Sequence, residues 1–249
     1  DSTIAVAQRA IDLSHDINFP KGEVNGLISL ANEFDTKGDL ALALQQVFRA
    51  LALTGENHLL PERSQCLSTI GGIYWDMNDF PGAINAYQQA VQINKEIKNQ
   101  PGEASLAILT EMNLGGTFMI NNQLDSAFIY LKKLYYQTLN DNDWHPTLLM
   151  FFGDLQFRMG KRDTGLSYLR QSIDLFQKDG NHYSLGDACR FISECFRQIG
   201  MVDSSIFYAK KGLSEAESIG YKSPVLYNSR ILAELYESKD ISKALYYRK

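Results

Sequence analysis

Four histidines, three cysteines and one oxygen-rich run are the residues here whose chemistry could go beyond packing. His15, His58, His145 and His182 could each ligate a metal through an imidazole nitrogen. All four fall in or beside segments that read as loops, and His145 and His182 are expected along one edge of the molecule, where loop histidines are solvated. The run Asn140-Asp141-Asn142-Asp143-Trp144-His145-Pro146 offers carboxylate and amide oxygens. It lacks the glycine at position 6 and the glutamate at position 12 of a calcium-binding EF-hand loop. Pro146 instead reads as the opening residue of a helix, with the Asp/Asn run turning the chain before it. Cys189 and Cys195 lie six apart on one predicted helix, about 9 Å of rise, and point in different directions. With Cys66 elsewhere, no disulfide framework is expected. There is no GxSxG, HExxH, CxxC pair or glycine-rich phosphate loop, so neither an enzyme nor a bound cofactor or metal is expected.

The elements that must carry any site follow from a repeat. A small residue is followed twelve positions later by another at Ala31/Ala43, Gly71/Ala83, Gly115/Ala127, Gly153/Gly165 and Ser193/Ser205, and eleven later at Ala233/Ala244. The motif recurs about every forty residues, which marks an array of stacked supersecondary units. Before each first small residue stands a bulky apolar one, Leu30, Ile70, Leu114, Phe152, Ile192 or Leu232. Three after it stands an aromatic in five of six copies: Phe34, Tyr74, Phe118, Phe196 and Tyr236, with Gln156 in the fourth. These spacings trace one helical face. Val47, Tyr87, Leu131, Leu169 and Ala209 continue a second face from the second small residue, joined by Ala50, Ala90, Leu134, Ser172 and Gly212. Between the faces lie Gly38-Asp39, Asn78-Asp79, Asn122-Gln123 and Gly160-Lys161. There Gly or Asn can close helix A left-handed, and Asp39 or Asp79 can cap helix B with its carboxylate. Small residues let the two helices of each hairpin cross closely.

Ile70-Gly71-x2-Tyr74 with Ala83, Tyr87 and Ala90 resembles the tetratricopeptide repeat (TPR), and the resemblance covers nearly the whole chain. The period near forty exceeds the usual 34 and the final proline is missing, as in long-repeat variants. The resemblance implies an all-α fold, a right-handed TPR superhelix (α-solenoid) of antiparallel helix pairs. The chain is expected to be one solenoid: residues 1–20 as helix B of a truncated repeat, then repeats at 21–60, 61–100, 101–143, 144–181, 182–221 and 222–249, the last incomplete. Thr3, Ala7 and Ala10 lie forty residues before Ala43, Val47 and Ala50, which places the opening of the chain inside a helix B.

In TPR arrays the concave face is lined mainly by A helices. In this register Asn32, Trp75, Met112, Met119, Met150, Phe157, Arg190, Arg197 and Arg230 are the candidate groove residues. The groove is expected to be apolar in its middle, where Met and aromatic side chains make adaptable contacts. Toward the C-terminal end it is expected to be charged, with arginines able to grip a carboxylate. The alternative is that these residues pack between A helices and that Glu194 and Glu234 neutralise the arginines. Trp75→Ala and Phe157→Ala are expected to weaken ligand binding while sparing helical content. The Lys/Asn clamp of chaperone-binding TPR proteins is not matched, since Ile28 and Leu109 stand where lysines are needed.

Composition narrows the partners. A net charge of −5 argues against a nucleic-acid stripe, and Lys132-Lys133 and Lys210-Lys211 are short solvated pairs. The longest apolar run, residues 148–152, is far short of the ~20 residues a membrane crossing needs. The stretches Ala10-Ile11-Asp12-Leu13 leading to Phe19-Pro20-Lys21-Gly22, and Ala233-Glu234-Leu235-Tyr236-Glu237 leading to Lys243-Ala244-Leu245-Tyr246-Tyr247, resemble the TPR regions of bacterial two-component proteins. That resemblance implies an extracytoplasmic sensory region of an inner-membrane histidine kinase, its kinase module absent from this chain and its membrane contact made by a segment outside it. The alternative is a cytoplasmic TPR regulator that captures a short signalling peptide. Either way the expected partner is a protein or peptide, with a homodimer left open and no direct nucleic-acid contact.

Overall fold

Helix hairpins with the expected spacing build the chain. The computed structural model describes residues 2–97, 103–220, 222–237 and 239–248. Among them are thirteen helices and no strand. The B helices are α1 (Ser2–Asp16), α3 (Leu40–Glu56), α5 (Phe80–Ile97), α7 (Leu124–Gln137), α9 (Arg162–Lys178), α11 (Val202–Ser218) and α13 (Ile241–Tyr247). The A helices are α2 (Pro20–Lys37), α4 (Leu60–Asp76), α6 (Glu103–Ile120), α8 (His145–Arg158), α10 (His182–Gln198) and α12 (Lys222–Tyr236). The chain divides into two compact units, Asp1–Tyr130 and Leu131–Lys249, with the boundary inside α7.

All twelve paired small residues are buried, and the reason differs between crossings. At Gly71 the Tyr87 ring of α5 occupies the space, so a Cβ there would lie 2.7 Å from its Cε1. At Gly153 and Gly165 the two backbones themselves meet: a Cβ on Gly165 would stand 2.6 Å from the Gly153 carbonyl and from the Phe157 nitrogen. At Ser193 and Ser205 the contact is polar. Ser193 Oγ donates to the Ser205 carbonyl at 2.8 Å, and Ser205 Oγ donates to the Ser193 carbonyl at 2.9 Å.

Nearer the corner, aromatic rings close three hairpins: Phe118 stacks on Tyr130, Phe196 on Tyr208 and Tyr236 on Tyr247, with centroids 5.6–6.0 Å apart. The fourth repeat has Gln156 in that place, and there Tyr168 turns to Phe152 and Tyr135 instead.

The corners match their expected chemistry. Gly38, Asn78, Asn122 and Gly160 all have positive φ and end their A helices left-handed. Asp79 Oδ1 accepts from the Gly82 amide at 3.0 Å, a side-chain cap for α5. Asp39 departs from expectation: α3 starts on its backbone carbonyl, which accepts from Ala43, and its carboxylate makes no cap bond. Pro146 does sit in the first turn of α8, and Asp141 Oδ1 accepts from the Asp143 and Trp144 amides to turn the chain before it.

Within each unit, successive A helices also touch one another: α2 with α4, α4 with α6, α8 with α10, and α10 with α12. Between B helices the contact is sparser: Lys211 Nζ of α11 donates to Gln177 Oε1 of α9 at 2.9 Å. The A helices are therefore crowded, each packed against B helices and against a neighbouring A helix of its own unit.

Candidate functional site

That crowding decides where the candidate residues end up. In the first unit Asn32 is exposed on α2, and Trp75 is partly buried at the end of α4, edge-on to Phe80 at 6.4 Å. Met112 and Met119 of α6 are 5% and 1% exposed. In the second unit Met150 and Phe157 of α8 are each 5% exposed. The apolar groove floor expected from these four is thus core. A helix gripped by its own B partner on one side and by neighbouring A helices on others has little surface left, and the longest apolar side chains fill that contact.

The arginines of the second unit do stand on the A-helix layer, but not bare. Arg197 holds Glu194 with two hydrogen bonds, Nε to Oε2 at 2.8 Å and an Nη to Oε1 at 2.6 Å, and reaches Glu234 at 3.9 Å. Arg230 Nε donates to Glu234 Oε1 at 3.1 Å, and Arg158 Nε donates to Asp154 Oδ2 at 2.9 Å. Arg190 Nε lies 3.6 Å from Asp187 Oδ1, and its guanidinium lies over the rings of Phe191 and Tyr227 at 4.1 and 5.2 Å.

The electrostatics follow from burial and pairing. Burial pushes the Asp154 and Asp187 carboxyls up, and Arg158 and Arg190 oppose it. Burial also disfavours ionised Glu194, but the hydrogen bonds and charge of Arg197 outweigh it and leave its carboxyl below the ordinary range. The layer is a self-neutralised ladder of four arginines and four acids, as in the second of the two sequence expectations.

Sequence reasoning missed a polar cluster in the first unit. The carboxyls of Asp35 on α2 and Asp76 on α4 lie within hydrogen-bond reach of each other. The Tyr87 hydroxyl from α5 and Asn113 from α6 adjoin them. Nearby, Ser68 and Thr110 hydroxyls join α4 to α6 at 2.8 Å. The signal was an acidic residue at the end of two successive A helices, Asp35 four and Asp76 five residues after the small position, but periodicity alone does not pair them.

The other reactive residues do not gather into a site: His58 is exposed at the turn between α3 and α4, with φ 55°. His182 Nδ1 meets Glu215 Oε2 at 2.6 Å and His15 Nδ1 meets Glu23 Oε2 at 3.3 Å. His145 lines a cleft of about 660 Å³ with Asn142, Asp143, Lys178 and Asp179, and burial lowers its pKa. Among the described residues no group of three or more His, Cys, Asp or Glu is placed to hold a metal, and no helix is long and apolar enough to cross a membrane. All three cysteines are free and buried.

The tetratricopeptide-repeat family model matches residues 64–97, spanning most of α4 and all of α5. No curated protein matches the sequence. Among solved structures, a Rap protein complexed with Competence and Sporulation Factor superposes with a TM-score of 0.74 at 12% identity, over 91% of this chain and 63% of that one. The Rap conjugation gene regulator of the plasmid pLS20, in complex with the Phr* peptide, gives 0.72 at 16% identity over 94% and 63%. Aspartyl phosphate phosphatase F from Bacillus subtilis gives 0.69 at 17% identity over 97% and 66%. The chain spans less than two thirds of the length of the first of these, and at such identities the likeness is one of fold. Residues 64–97 are a tetratricopeptide repeat, and the chain has the all-α fold of a TPR solenoid.

Proposed function

We propose that this chain is a protein-binding TPR scaffold that captures a short signalling peptide along the open strip of its A helices, the cytoplasmic regulator of the two roles expected from the sequence. What supports it most is the arginine–carboxylate ladder on α8, α10 and α12. Side chains that are already paired and partly exposed can exchange partners with a ligand's charged groups without stranding a bare charge. The structural neighbours lean the same way, since two of the three above were solved with a factor or peptide bound. The sensory-region reading draws no support from them.

The test is a titration of the protein with a panel of random-sequence hexapeptides, followed by calorimetry and by intrinsic fluorescence, to which Trp75 and Trp144 both contribute. At least one peptide is expected to bind tighter than about 100 μM, roughly −5.5 kcal/mol. Arg190→Ala or Arg230→Ala should weaken that peptide about tenfold or more while the circular dichroism stays unchanged. A panel in which nothing binds, or variants that bind like the parent, would overturn the reading.

A further inference from the structure

We propose that Asp35 and Asp76 form a proton-operated latch between α2 and α4: one shared proton ties the two carboxyls, and its loss sets like charges face to face and loosens the inner layer of the first unit. The latch does not depend on the peptide reading.

The geometry carries it. Asp35 lies in the last turn of α2 and Asp76 is the last residue of α4, and the two helices pack side by side. Asp35 Oδ1 is buried, and among the described residues no donor reaches it. Within hydrogen-bond reach of the Asp35 carboxyl is that of Asp76, on a residue whose other side is exposed, and in its ionised form it can only accept. A proton between the two oxygens is the group that satisfies both. Beside the pair stand the Tyr87 hydroxyl from α5, which the two carboxylates keep protonated, and Asn113 from α6 beyond it, both uncharged at neutral pH. No lysine, arginine or histidine is among the groups that shift either carboxyl. Both acids also sit at helix C-termini, where free carbonyls and the helix dipole disfavour negative charge.

The titration range follows. Burial first, then the charge and hydrogen bond of Asp76, push the Asp35 carboxyl up to about 6, and burial raises Asp76 as well. Since the folded value lies above the unfolded one, the shared proton's contribution is complete below the unfolded carboxylate value. It falls as pH rises and is gone once pH passes about 6. The latch is closed in mild acid and open at neutral pH.

Two measurements test it. In a carboxyl-carbon NMR titration Asp35 is expected to titrate near pH 6, and Asp76→Asn should lower that midpoint by about one pH unit or more. In thermal unfolding, the parent should lose stability between about pH 4.5 and 7 relative to Asp35→Asn, whose amide holds the hydrogen bond at every pH. An Asp35 midpoint in the ordinary carboxylate range, or one that ignores Asp76→Asn, would overturn the latch. So would an Asp35→Asn protein that keeps the parent's pH-dependent loss.

Discussion

At Gly165 a methyl group would land 2.6 Å from two backbone atoms of α8, whereas at Gly160 it would meet nothing within 4 Å but would carry φ +85°. The two substitutions therefore separate crowding from backbone strain. Gly165→Ala is expected to cost about 2–3 kcal/mol, despite alanine's better helix propensity, because backbone cannot step aside as a side chain can. Gly160→Ala should cost only about 1 kcal/mol. Urea midpoints would rank them, and equal midpoints would remove the backbone contact from the account. Residues such as Gly165 were legible because the repeat puts a small residue, whether Ala, Gly or Ser, at the same place six times. The paired state of the arginines was open until structure placed Glu194 and Glu234 against them. Phe157 shows the limit most plainly. It falls on the inward side of the register, but a neighbouring helix covers it, so Phe157→Ala would cost about 3–5 kcal/mol and report on folding rather than binding. Asp35 and Asp76 were invisible as a pair because their contact spans two repeats, and periodicity fixes a face without fixing which residues on neighbouring faces meet.

Between helices, the crossings of α4 with α5, α8 with α9 and α10 with α11 are solved by an aromatic ring over glycine, by backbone on backbone, and by reciprocal serines. The serine solution invites a double-mutant cycle across α10 and α11. Ser193→Ala and Ser205→Ala should each cost about 1 kcal/mol, since each removes a hydrogen bond from a dry contact. The double variant should cost less than the sum, because it recreates the Ala31/Ala43 crossing that α2 and α3 already use, where both alanines are fully buried. Strict additivity would mean that the two hydroxyls do not act as one unit. Helix identity and corner chemistry could be read from sequence with few errors, since Gly, Asn and Pro act locally. Asp39 was the exception, because a suitable residue at a helix start need not turn its carboxylate to the amides.

Over the whole chain, the expectation of stacked helix hairpins rested on a period, and a period survives wide sequence divergence. Function did not have that advantage, because a binding strip differs from core only in which side chains the neighbouring helices leave uncovered. The thiols offer a readout in each unit, Cys66 in the first and Cys189 and Cys195 in the second. Burial pushes Cys66 and Cys189 up to about 12 and raises Cys195 too, so all three are expected to resist dithionitrobenzoate at pH 8 and to react once urea unfolds the chain. Rapid labelling of the native protein would show that the helix stack opens far more readily than its burial implies. The packing of A helices against one another also sets a scale for anything linear laid across them. Neighbouring axes about 9 Å apart correspond to roughly three residues of extended chain, so α2, α4 and α6 together subtend about six. Such a layer acts as a ruler, on which each added trio of residues in a guest reaches one more helix.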